Sequence, residues 1–160
     1  MLKYSLLLCL ALFAGPFAMA QAPAKSSTVA HALRLRPGDD LRDALLAYVT
    51  QHHIQAGAVL TCVGSLTVAT LRLANQEGPT EYRGHFEIVS LVGTLSSTGG
   101  SHLHLSVSDS TGRTLGGHLL AGCRVYTTAE IVLVALPELE FTRETDPAFG
   151  YKELVVKPKK

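Results

Sequence analysis

Leu33-Arg34-Leu35-Arg36 alternates apolar with polar and predicts a first strand, closed by the turn Pro37-Gly38-Asp39-Asp40. Leu41, Leu45, Leu46 and Val49 then recur at helical spacing, which predicts a helix over 41–53 capped by Asp39 or Asp40. Residues 56–63 form an apolar run that reads as a buried strand, broken by Gly64-Ser65. Alternation resumes over 66–74, and 75–80 is a loop. Beyond it the chain is almost all strand: 84–95, 101–108, 115–120, 125–136 and a last piece around 154–156, separated by glycine- and proline-bearing turns. One main helix and about seven strands predict a compact single-domain α+β fold with a mostly antiparallel sheet.

The first twenty residues follow a different plan. Lys3 precedes an apolar segment over 6–13, Gly15-Pro16 breaks it, and Ala18-Met19-Ala20 ends it with small residues. This is the layout of a secretory signal peptide cleaved after Ala20, so the expected location is the periplasm or the exterior. Residues 21–30 then read as a flexible lead-in, 31–156 as the domain and 157–160 as a basic tail. The chain has 14 basic and 13 acidic residues, and loss of Lys3 leaves the mature form with no net charge. Neutrality removes the usual electrostatic basis for nucleic-acid binding, and no later apolar run is long enough to span a membrane. In an oxidising compartment Cys62 and Cys123 could pair; as thiols in apolar runs, they could equally be buried and free.

The chemistry concentrates in Ser101-His102-Leu103-His104-Leu105-Ser106-Val107-Ser108. Strict alternation places Leu103, Leu105 and Val107 on one face and His102, His104, Ser106 and Ser108 on the other. Histidines at i and i+2 of a strand have Cα atoms ~6.6 Å apart and can converge on one ion. Asp109-Ser110-Thr111-Gly112-Arg113 reads as a hairpin with a three-residue loop and Gly112 in the left-handed position. In that register 104 faces 118, which is His118 in Gly116-Gly117-His118-Leu119. Three imidazoles on one face suit zinc, copper, nickel or iron. A slip of one residue would turn His118 away, leaving ordinary histidines on a half-exposed sheet.

Glu130 interrupts the apolar run 125–136, where a buried carboxylate is costly unless paired or coordinated. It is a candidate fourth ligand, partner to a ligand histidine, or general base; the plain alternative is an ion pair with Arg124 or Arg143. His85 and Glu87 read as exposed strand residues, and His52-His53 as residues at a helix C-terminus. Nucleophile-elbow, phosphate-loop and Cys-x-x-Cys motifs are absent from the sequence.

Taken together, Leu35-Arg36-Pro37-Gly38-Asp39-Asp40-Leu41, Val63-Gly64-Ser65-Leu66, the run 84–95, His102-Leu103-His104, Gly116-Gly117-His118-Leu119 and Thr128-Ala129-Glu130 resemble the PPC (plants and prokaryotes conserved) domain over about residues 31–156. The resemblance implies an α+β fold and a homotrimer with polar residues near subunit boundaries. Plant members join the domain to AT-hook segments that bind DNA, and generally lack these histidines. Stand-alone bacterial members with His-x-His and Gly-Gly-His look suited to a metal, here through His102, His104 and His118. This sequence has no Arg-Gly-Arg-Pro hook, and its longest basic arm is Lys157-Pro158-Lys159-Lys160.

Three functions follow as expectations. The first is an exported homotrimeric module that binds a metal, zinc or another transition ion, or a small ligand at the histidine face. The second is a metal-dependent hydrolase or lyase with Glu130 as base. The third is a DNA-associated scaffold, which export and zero net charge disfavour.

Overall fold

The computed structural model describes residues 21–159; residues 1–20, on which the expected signal peptide falls, and Lys160 lie outside the described residues. The elements are β1 (Val29–Leu35), α1 (Leu41–Gln51), β2 (Gly57–Arg72), β3 (Thr80–Ser96), β4 (Gly100–Ser108), β5 (Thr114–Leu119), β6 (Arg124–Ala135), β7 (Leu139–Thr145) and β8 (Lys152–Pro158). β1 to β6 form one antiparallel sheet in the order β1-β6-β2-β3-β4-β5. β5 also pairs with the end of β2, through Leu71–Leu119 and Arg72–His118, so the sheet curls back on itself. β7 and β8 make a separate hairpin. None of the helices among the described residues is long and apolar enough to cross a membrane.

The helix forms where its caps and apolar stripe predict. The Asp40 carboxylate accepts hydrogen bonds from the N–H groups of Arg42 and Asp43, both at 3.1 Å. Leu41, Leu45 and Val49 are fully buried, and His52 ends the helix with His53 at φ 52. That apolar stripe meets Leu66, Leu71, Leu91, Leu105, Val125 and Leu133 in the main core. Burying side chains of this size accounts for most of the drive to fold, and truncating one to alanine costs about 2–5 kcal/mol. A smaller core under the β7–β8 hairpin contains Ala56, Leu139 and Phe141.

The long-range pairings depart from the local reading in three places. The two strands expected over 56–63 and 66–74 are one strand, β2, with register shifts along it. Gly64 does not break it. A Cβ there would sit 2.1 Å from the Thr128 carbonyl oxygen, so the glycine lets β6 come close. The expected lead-in contributes Val29 and Ala30 to β1, while Ser26 and Ser27 bond the Glu138 carboxylate. Lys157, expected in a basic tail, lies in β8 with its ammonium 2.8 Å from Glu144. Cys62 and Cys123 are both buried free thiols. Burial pushes Cys62 up to about 12 and Cys123 up to about 11.

Candidate metal centre

The β4–β5 hairpin has the expected register. Asp109 Oδ1 accepts from the N–H groups of Thr111 and Arg113 at 2.9 and 3.1 Å, and Gly112 turns the chain at φ 81. Ser108 therefore faces Thr114 and His104 faces His118. Leu103, Leu105 and Val107 are buried, while His102 and His104 stand on the opposite face. Gly117 sets the last step. A Cβ on it would lie 2.7 Å from the Arg72 carbonyl oxygen, so glycine is what allows β5 to close onto β2 and carry His118 beside Arg72.

The three imidazoles meet as a triangle. Ring centroids are 4.4 Å apart for His104–His118, 4.9 Å for His102–His118 and 5.1 Å for His102–His104. One ligand nitrogen from each can be chosen so that all lie within 4.8 Å of one another. His104 is exposed, and His102 and His118 are half-buried. Partial burial, with Arg72 and the neighbouring histidines, lowers His118 to about 4. Burial and then Arg143 lower His102 from its ordinary value. These two rings are thus neutral near pH 7, the form in which imidazole ligates a metal. The donor set and its convergence fit a transition ion.

Glu130 lies elsewhere. The expectation of a buried carboxylate is overturned: Glu130 is exposed on β6, opposite Arg34 on β1 and Val63 on β2. β2 and β3 separate its strand from β4 in the sheet, and it is outside the histidine cluster. The alternative ion pairs are not formed either. Arg124 lies 4.0 Å from Asp40, and the Arg143 guanidinium donates to the Lys152 carbonyl oxygen at 3.0 Å. His85 and Glu87 are exposed as expected, with His85 against Tyr126. Sequence reasoning missed Arg72 and Arg143 as neighbours of the histidines, because only long-range pairing brings their strands there.

The Plants and Prokaryotes Conserved (PCC) domain model matches residues 22–137, which include the His-x-His and Gly-Gly-His elements and the whole six-stranded sheet. The chain belongs to the PCC domain family. The structure of a hypothetical protein from Salmonella cholerae-suis is similar, with a TM-score of 0.83 and 45% identity, covering 85% of this chain and 98% of that one. A structure described as a metal-containing protein of Archaeoglobus fulgidus matches with a TM-score of 0.73 over 86% of this chain and 99% of that one. At 23% identity that likeness carries the fold alone. The bifunctional protein GlmU of a Synechococcus strain is 52% identical over 126 residues, or 79% of this chain and 20% of that protein. The PCC chain thus spans about a fifth of the length of the curated relatives it matches.

Proposed function

We propose that this PCC-domain protein is an exported homotrimer that binds one transition metal ion per chain at His102, His104 and His118. The observation that carries the reading is the convergence of three ligand nitrogens within 4.8 Å on one hairpin face. Neutral imidazoles favour zinc, copper, nickel or iron over calcium or magnesium. The description of the Archaeoglobus fulgidus relative as metal-containing agrees with it. When bound by three histidines, such an ion supplies a Lewis-acid centre with a coordination position open to a small ligand. Binding is preferred to hydrolysis because Glu130, the expected base, is remote on β6.

Assembly is supported by an apolar patch. Val59 pairs with Gly93 and Ser65 with Glu87, and Leu60, Val63, Val89 and Val92 all fall between these two pairs on β2 and β3. All four are more than half exposed. An uncovered cluster of large aliphatic side chains on two adjacent strands favours contact with another protein surface. Export rests on the layout of residues 1–20.

The test is elemental analysis of the purified protein, with its mass in solution by light scattering. About one transition ion per chain and a mass of three chains are expected. A protein that stays empty after incubation with zinc overturns the metal reading, and a mass of one chain overturns the trimer.

A further inference from the structure

A pocket of about 540 Å³ opens beside the histidines, within the size range of small-molecule sites. β4 and β5 supply one wall, with His102 and His118; the β7–β8 hairpin supplies the other, with Arg143, Tyr151 and Lys152. Arg72 stands at the end of β2, paired with His118. This hairpin lies beyond the residues matched by the PCC model, so this wall is not part of the matched domain.

The charge of the lining is one-sided. Arg42, Arg72, Arg143 and Lys152 all contribute, against Glu153 as the single carboxylate. Arg42 lies 3.6 Å from Asp43. Arg72 and Arg143 have no carboxylate partner among the described residues; each donates to a backbone carbonyl, of Gln76 and Lys152 respectively. A guanidinium has five N–H donors in a fork matched to a carboxylate or phosphate, so most of that capacity stays open. Two such forks lining one half-enclosed pocket give it a positive potential, and an anion in the pocket is attracted by both. Tyr151, 72% exposed, adds an aromatic ring that an uncharged part of a ligand can cover.

We propose that this pocket receives a small-molecule oxyanion, a carboxylate or a phosphate ester, held by Arg72 and Arg143 next to the metal. The assignment rests on the metal reading for the role of the histidines, but the arginine forks need no metal to bind the anion. The ligand is thus a small acid with its charged group toward the arginines and its body toward Tyr151.

Calorimetric titration of zinc-loaded and metal-free protein with inorganic phosphate and with succinate tests this, with sodium chloride at equal ionic strength as reference. Saturable binding of one or both is expected, weakened about tenfold or more in Arg143→Gln and Arg72→Gln, as loss of a charged hydrogen bond implies. Zinc content should stay unchanged in both variants. Preference for phosphate assigns a phosphate ester, and preference for succinate a carboxylate. Anion binding by a protein that takes up no zinc would leave this proposal standing and sink the metal reading. The proposal is overturned if neither anion binds, if chloride competes equally well, or if both arginine variants bind as the wild type does.

Discussion

His104 and His118 face each other directly across the β4–β5 ladder, their ring centroids 4.4 Å apart. Directly opposed strand residues project to the same face, so neither can leave the cluster without a register change. His104 is the exposed member, on the face opposite the buried Leu103 and Leu105. His104→Ala is therefore expected to remove most bound metal, weakening affinity beyond the roughly 10–100-fold typical of losing a partner that only orients a ligand. The unfolding free energy of the metal-free protein should change by no more than about 0.5 kcal/mol, as for exposed sites generally. Metal titration and urea unfolding of the same variant check both halves. Unchanged affinity would show that His104 is not a ligand.

The approach of β5 to β2 depends on Gly117, with only 2.7 Å between a prospective Cβ and the Arg72 carbonyl oxygen. Both atoms belong to backbone or are fixed to it, so no side-chain rotation relieves the contact. Gly117→Ala is expected to push the strands apart, costing on the order of 1–3 kcal/mol by overpacking. It should also weaken metal binding, because His118 shifts with its strand. Loss of stability with metal affinity intact would mean that β5 yields elsewhere. Ser106→Ala, on the same hairpin face, is the control and should alter neither.

The hairpin was legible because its register is a local matter. Asp109 and Gly112 fix the turn, and alternation carries that register from Ser108 to His104 and from Thr114 to His118. Glu130 was not legible for the opposite reason. Its neighbours Val132 and Val134 lie on the outward face of β6 yet are half-covered, so the strand reads as one apolar run and its single carboxylate as buried. Gly64 was misread likewise: locally it signals a break, and only pairing with β6 shows a close approach. Arg72 and Arg143 reach the pocket from strands about seventy residues apart, a placement with no short-range trace.

Acid should destabilise the metal-free protein over a defined window. His118 is held at about 4 and His102 below its ordinary value, chiefly because partial burial disfavours the charged ring. In the unfolded chain both titrate near ~6.5. Below that value the unfolded state binds more protons than the folded one, so stability falls as pH falls. The penalty is absent above about 6.5, grows down to about 4 and then levels off for His118. Urea midpoints from about pH 7.5 to about 3, roughly one unit either side of the window, should show this decline in the presence of a chelator. His118→Gln should reduce its slope. An equally steep decline in the variant would place the responsible protons elsewhere.

Asp40 connects the helix to the turn that precedes β6, and that turn sets where β5 ends. One carboxylate oxygen accepts from Arg42 and Asp43 at the helix start; the other accepts from the Gly122 N–H at 2.6 Å. The side chain is almost wholly buried, with residue exposure of 8%. Removing it leaves three N–H groups without their acceptor, so Asp40→Ala combines the loss of a helix cap with that of a buried charged hydrogen bond. The expected cost is about 2–4 kcal/mol. Asp40→Asn retains an oxygen for the helix but turns an amide N–H₂ toward Gly122, a donor against a donor, and should fall between wild type and alanine. Equilibrium unfolding in urea measures all three. If asparagine costs as much as alanine, the contact to Gly122 dominates and the cap contributes little; if asparagine costs nothing, the helix cap carries the whole effect.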